Sequence, residues 1–131
     1  MRLLTYAGNA GDRNPRGMAG ARDLGAAIAA RTDTVPDAIG SPRPLVAGGW
    51  ARQLAWALPD LTLLASALGA CLDRDGRAAI TMGRCAAAIA TLPQVARRYP
   101  DAAILWFDAH GDCNAPGGIP HATCGISAEW S

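Results

Sequence analysis

Apolar residues recur along this chain with the spacings of both strands and helices, so the pattern predicts an α/β fold. Short apolar stretches at residues 2–7 and Ala78–Met82 have the length of strands. Residues 61–72 repeat their apolar positions at helical spacing, and a second amphipathic helix follows Gly83. The side chains expected to face inward on this second helix are Ile89, Leu92, Val95, Ala96 and Tyr99.

The earlier part of the chain predicts one more helix and a loop. A helix is expected over residues 19–31, with Leu24, Ala27 and Ile28 on its buried stripe. Several prolines and a glycine within residues 32–44 predict a loop. A short helix over residues 49–58 should end at Pro59, since proline breaks the hydrogen-bond pattern of a helix.

Residues 102–107 are apolar at every position, which is typical of a strand buried on both faces. Such a strand lies in the middle of a parallel sheet that helices cover on both sides. Together with the other elements, it predicts one α/β domain over residues 1–131, with three layers and a mostly parallel sheet.

Composition and charge argue against several partners. The formal net charge is +1, and no basic or acidic block stands out, so we expect neither a nucleic acid nor a membrane as a partner. No secretory leader is recognisable, and the four cysteines show no C-x-x-C spacing. We therefore expect a cytoplasmic protein with reduced thiols.

A group of metal-ligand residues follows the predicted buried strand directly. Asp108, His110 and Asp112 are spaced two residues apart, so in extended backbone their side chains would point to the same side. Oxygen and nitrogen donors of this kind suit Mn²⁺, Zn²⁺ or Fe²⁺. The spacing alone leaves a second interpretation open, in which the aspartates form a turn or cap a helix.

The sequence around these residues resembles a known family. Residues 104–116, ILWFDAHGDCNAP, are similar to a signature of the arginase, agmatinase and formiminoglutamase family, the ureohydrolases. Residues 81–100 resemble the strand-to-helix turn and the following helix of the same family. The resemblance implies a site for two Mn²⁺ ions.

By this resemblance, Asp108, His110 and Asp112 are metal ligands. If the chain is an enzyme, Asp112 or a nearby carboxylate is expected to orient the attacking water. Asn114 matches a position that holds the amino-acid end of the substrate in arginases. His121 lies where arginases place a histidine used for proton transfer. The loop before it is shorter here, so the alternative is an ordinary loop histidine.

Two departures from the family pattern predict an incomplete metal site. Cys85 occupies the position of a metal-binding histidine, with Arg84 in place of the adjacent aspartate. Cys85 is expected either to ligate a softer ion or to fill the turn as a small residue. The second carboxylate motif of the family, Ser-x-Asp-x-Asp, is not found within these 131 residues.

The function implied by the resemblance is metal-dependent hydrolysis of linear guanidino or amidine C–N bonds, and the family is commonly oligomeric. The alternative is a truncated or degenerate relative without catalysis. A nucleotide-binding turn at Met82, Gly83 and Arg84 has less support, because no phosphate-binding glycine motif is present. A hydrolase using Cys85 or Cys113 with His110 also has less support.

Overall fold

A computed structural model of the chain describes residues 2–10 and 15–108. Within these residues strands and helices alternate, as the apolar pattern predicts. The elements, in chain order, are β1 (Arg2–Tyr6), α1 (Arg16–Thr32), β2 (Asp37–Ile39), α2 (Trp50–Asp75), β3 (Ala78–Met82), a single turn of 3₁₀ helix (Cys85–Ala87) and α3 (Ala88–Arg98).

The three strands form a parallel sheet in the order β2-β1-β3. In the register, Leu4 lies opposite Asp37 on one side and Ile80 on the other. The predicted strands β1 and β3 are confirmed. The short strand β2 was missed, because three residues between Pro36 and Gly40 show no readable periodicity.

Successive residues of β1 point to opposite faces of the sheet, and each face is covered by a different helix. Leu4 and Tyr6 belong to a buried cluster that includes Leu61 and Leu64 of α2. Thr5 points the other way, toward α1. The described part of the chain therefore has a helix layer on each side of the sheet, which confirms the predicted α/β architecture.

The contact between α1 and the sheet is made by small residues. A Cβ atom on Gly25 would overlap the hydroxyl of Thr5 and would lie 3.1 Å from the hydroxyl of Thr81. The buried positions of α1 are Met18, Ala21, Gly25 and Ala29. The predicted stripe was wrong: Leu24 is 54% exposed, because the face with the smallest side chains approaches the sheet most closely.

Helix α2 runs through Pro59 without ending, so the predicted break at this residue was also wrong. The buried face of its second half was predicted correctly, at Leu61, Leu64, Leu68, Cys71 and Leu72. These side chains pack in the core, and this packing outweighs the loss of one backbone donor at Pro59. Among the described residues, α2 is the one helix long and apolar enough to cross a membrane, and its apolar face already covers the sheet.

Helix α3 matches the prediction only in part. Val95 packs against the core as predicted, but the buried residues are Ala90 and Thr91, and Ile89 is 58% exposed. A bidentate ion pair between Arg98 and Asp73 ties α3 to the end of α2. The hydrogen bonds from Arg98 lower the pKa of the Asp73 carboxyl below its usual value.

Residues 102–107 do not form the predicted buried central strand. Among the described residues this segment pairs with no strand, and the side chains of Leu105 and Phe107 are 79% and 92% exposed. A strand that is apolar on both faces needs a strand on each side and helices above and below. The described sheet does not give this segment those neighbours.

Replacing Gly25 by Ala should destabilise the fold by about 1–3 kcal/mol, because the added methyl group forces α1 away from β1. Gly20 is the matched control in the same helix, since a Cβ atom there meets nothing within 4 Å. Gly20→Ala should stabilise by about 0.5–1 kcal/mol. Urea unfolding measures both changes, and equal effects at the two positions would contradict the close contact.

The ion pair between Asp73 and Arg98 should make stability depend on pH. The pKa of Asp73 is lower in the folded state than in the unfolded chain, so its contribution is present above about pH 4 and lost as pH falls through the folded pKa. Asp73→Asn should therefore lower Tm at pH 7, and the difference from the parent should vanish in acid. Asp101→Asn, at an exposed acid of the same region, is the control and should leave Tm at pH 7 nearly unchanged.

Candidate functional site

The carboxyl edge of the sheet is the part of the fold where a ligand site is expected. The chain leaves β1 toward β2 on one side, while β3 lies on the other side of β1. Such a reversal of strand order opens a crevice beyond the carboxyl ends of the two diverging strands. The connections that follow β1, β2 and β3 meet at this edge.

A partly buried ion pair joins the connection after β2 to helix α2. Nη2 of Arg43 lies 2.8 Å from Oδ2 of Asp60, and the Asp60 side chain is 11% exposed. Gly8 and Gly40 leave room for this carboxylate, because a Cβ atom on Gly8 would lie 2.9 Å from Oδ2 of Asp60. The pair therefore fixes the ends of β1 and β2 against α2.

The guanidinium of Arg43 is held from a second direction by Trp56. Its Nη2 also donates to the Trp56 carbonyl oxygen at 3.0 Å, and its Cζ lies 4.8 Å from the centroid of the Trp56 ring. The Trp56 indole N–H donates to the carbonyl oxygen of Pro44 at 3.2 Å. These contacts attach the proline-rich connection after β2 to the first half of α2.

Asn9 lies in the connection after β1 and is buried. Its backbone carbonyl oxygen accepts a hydrogen bond from the hydroxyl of Tyr6. Its side-chain amide nitrogen is buried and meets no acceptor among the described residues. Burying an amide donor without an acceptor costs free energy, so this group is an exception among the buried polar side chains of the described residues.

The turn after β3 places Cys85 where the sequence predicts it. Arg84 is the extended residue before the 3₁₀ turn, and Cys85 is the first residue of that turn and is exposed. Gly17 at the start of α1 packs against this turn, and a Cβ atom on Gly83 would overlap the backbone of Gly17. Helix α1 therefore begins beside the turn that carries Cys85.

Asp108 is the only member of the predicted Asp-x-His-x-Asp group within the described residues, and it is exposed. His110, Asp112, Asn114 and His121 lie outside the described residues. Residues 2–10 and 15–108 contain no cluster of three His, Cys, Asp or Glu side chains that could hold a metal ion. Both histidines of the chain fall outside this part.

Sequence reasoning missed Asn9, Arg43 and Asp60. For Asp60 a signal was present, because a lone acid within the apolar repeat of α2 must find a partner when it is buried. Nothing in the local pattern marked Arg43 or Asn9. Their importance depends on the pairing of the strands that precede them.

An open groove of about 660 Å³ lies elsewhere in the fold, between α2 and α3. It is lined by residues of these two helices, and none of the predicted site residues is among them. The groove therefore adds nothing to the chemistry expected at the carboxyl edge.

Comparison with known proteins identifies a relative. The chain is 31% identical over 114 residues to an N(omega)-hydroxy-L-arginine amidinohydrolase of Streptomyces lavendulae. The match covers 87% of this chain and 42% of the relative, so the chain spans less than half of the relative's length. A scan against models of protein families finds no match. The resemblance to the arginase family is confirmed by this relative.

Breaking the partly buried ion pair between Arg43 and Asp60 should destabilise the fold. Arg43→Met leaves the Asp60 carboxylate buried without its cation and should lower the free energy of unfolding by about 3 kcal/mol. The double variant Arg43→Met/Asp60→Leu should recover part of this loss. Arg2→Met, which breaks the exposed pair between Arg2 and Asp37, is the control and should change stability by less than about 1 kcal/mol. Equal losses for the Arg43–Asp60 pair and for the exposed Arg2–Asp37 pair would contradict the role given to Arg43.

Proposed function

Because this chain is a relative of the arginase family over most of its length, we propose that it serves the metal-dependent hydrolysis of linear guanidino or amidine C–N bonds. The observation that carries the proposal is the match over 87% of the chain to an amidinohydrolase. The position of Cys85 at the start of the turn after β3 is consistent with it, since the family resemblance puts a metal ligand there.

The metal ligands in this proposal are Asp108, His110, Asp112 and Cys85. Of these, Asp108 and Cys85 are described, and both are exposed, so an ion can reach their donor atoms. Carboxylate and imidazole donors fit manganese, whereas a thiolate suits a softer ion such as Zn²⁺ better. Two bound Mn²⁺ ions would supply Lewis acidity and would lower the pKa of a water molecule.

The remaining residues bind the substrate and move protons. Asp112 orients the water so that its oxygen bonds to the guanidinium carbon, and a proton released from this water passes to His121. The C–N bond to the substrate amine then breaks, and His121 passes that proton to the departing nitrogen. Asn114 holds the amino-acid end of the substrate, so that the guanidinium group stays fixed beside the water.

We assign the substrate to the guanidino compounds. The relative is named for N(omega)-hydroxy-L-arginine, which has both a modified guanidino group and an amino-acid end. An oligomer in the cytoplasm is the setting that we expect. The exposed apolar row Ile104, Leu105, Trp106 and Phe107 supports further protein covering this region.

A catalytically inactive relative is the second candidate, and specific observations favour it. Cys85 replaces the expected histidine, and no strand among the described residues pairs with residues 102–107 to hold Asp108 rigidly. Urea release from arginine, agmatine or N(omega)-hydroxy-L-arginine in the presence of Mn²⁺ separates the two candidates. Turnover supports the enzyme, and its absence in a folded, manganese-loaded sample supports the inactive relative.

Single substitutions of the proposed ligands test the metal site. Asp108→Ala and His110→Ala should each weaken Mn²⁺ binding by at least roughly tenfold, because each removes a donor atom. Asp101→Ala, in the same exposed segment, is the control and should leave the Mn²⁺ affinity unchanged. Equilibrium titration followed by electron paramagnetic resonance measures free Mn²⁺ directly. Unchanged affinity in both ligand variants would overturn the assignment.

Cys85→His should raise the affinity for Mn²⁺ relative to Zn²⁺, since an imidazole replaces a softer thiolate. Cys85→Ser is the matched variant that keeps the small size of the residue and should not raise the Mn²⁺ affinity. The ratio of the two metal affinities is the readout. If neither substitution changes this ratio, Cys85 fills the turn without binding metal.

A further inference from the structure

Helix α2 has a second apolar face, which points away from the sheet. From this we infer that two copies of the chain associate through this outer face, with their α2 helices antiparallel about a two-fold axis. The inference gives a contact surface to the oligomer that the proposed function expects. It requires neither a bound metal ion nor turnover.

The outer face is a continuous stripe along α2, here called the outer stripe. Its members recur every three or four residues and are all exposed: Arg52, Ala55, Trp56, Pro59, Thr62, Leu63, Ser66, Ala70 and Asp73. Charged side chains stand only at its two ends. The one charged residue of the helix between these ends, Asp60, is buried and lies on another face.

This stripe leaves α2 covered on one side only. A helix that is apolar around its whole circumference is normally buried on all sides. The core covers one side of α2, yet only 39% of its most apolar 18-residue window is buried. Trp56 and Leu63 are 41% and 56% exposed. The outer stripe is therefore the side of α2 that still needs a cover.

The outer stripe is large enough for a stable dimer. Arg52 and Asp73 lie about 31 Å apart along the helix axis. Leu58 and Ile89 border the stripe and are 57% and 58% exposed. A large side chain that is half exposed offers on the order of 100 Å², so the stripe and its border approach the roughly 800 Å² per partner of a standard interface.

The charges at the ends match when two stripes run antiparallel. A two-fold axis between Thr62 and Leu63 places Arg52 of one copy opposite Asp73 of the other, at both ends of the contact. The Asp73 side chain is 62% exposed despite its pair with Arg98, so it is accessible to a second guanidinium. A parallel arrangement would bring like charges together.

The small side chains of the stripe match as well. The same axis places Ala55 opposite Ala70 and Pro59 opposite Ser66. Small residues at a contact allow two helix axes to approach closely. The outer stripe is therefore complementary to itself in charge and in size.

A membrane surface fits this face less well than a second copy. Helices that lie on membranes carry several basic residues beside their apolar face. The outer stripe has a single cation, Arg52, and ends in an acid, Asp73. In the antiparallel dimer each of these charges has a partner of opposite sign.

Sedimentation equilibrium of the metal-free full chain tests the inference. We expect a dimer that Leu63→Glu weakens at least ~10-fold, since this variant buries two carboxylates beside the axis. Leu24→Glu, at a leucine of α1 that is 54% exposed, is the matched control and should leave the dissociation constant unchanged. Arg52→Glu should also weaken the dimer, whereas Arg52→Lys should not. A parent that stays monomeric, or equal losses for Leu63→Glu and Leu24→Glu, would overturn the inference.

Cross-linking with a short bis-maleimide tests the antiparallel arrangement. Leu63→Cys should link the two copies, because this position lies beside the axis. Ala55→Cys should not, since its two copies lie about 22 Å apart along the helices. Peptide mass spectrometry separates these links from those through the native cysteines, and a link between two Ala55→Cys positions would contradict the arrangement. Binding of the parent to phosphatidylcholine vesicles, lost in Leu63→Glu and without a dimer in solution, would assign the stripe to a membrane and overturn the inference.

Discussion

Close packing of α1 on the sheet is the constraint on which the rest of this structure depends. Gly25 lets the helix backbone approach Thr5 and Thr81, and Gly17 lets the start of the helix touch the turn at Gly83. Larger side chains at these glycines would separate the layers. The approach fixes the position of α1 relative to β1 and β3 and keeps the start of the helix at the carboxyl edge.

The elements that sequence could predict are those with strong periodicity. β1, β3 and the buried face of α2 follow from their apolar spacing. The stripe of α1 could not be found in this way, because its buried face consists of small residues that a search for large apolar side chains passes over. The failed break at Pro59 has a similar cause: core packing along α2 outweighs a local preference.

The environment of residues 102–107 could not be predicted from their composition. Their composition predicts a strand buried on both faces, yet burial depends on neighbours rather than on the strand itself. In the described sheet that segment has no such neighbours, and Phe107 is 92% exposed. The candidate site contains residues of both kinds. The position of Cys85 at a helix start could be predicted from the local sequence of the turn. The ion pair between Asp60 and Arg43 could not, because it depends on which connections meet at the carboxyl edge of the sheet.

In the proposed arginase-type site, Asp108 and the residues following it bind a divalent metal ion. Mn²⁺ broadens the resonances of nuclei close to it, so a titration of the isotope-labelled chain with Mn²⁺ locates the ion directly. Selective broadening is expected at Asp108, His110, Asp112 and Cys85. Broadening confined to other acids, such as Asp73 and Asp75 at the end of α2, would contradict this site.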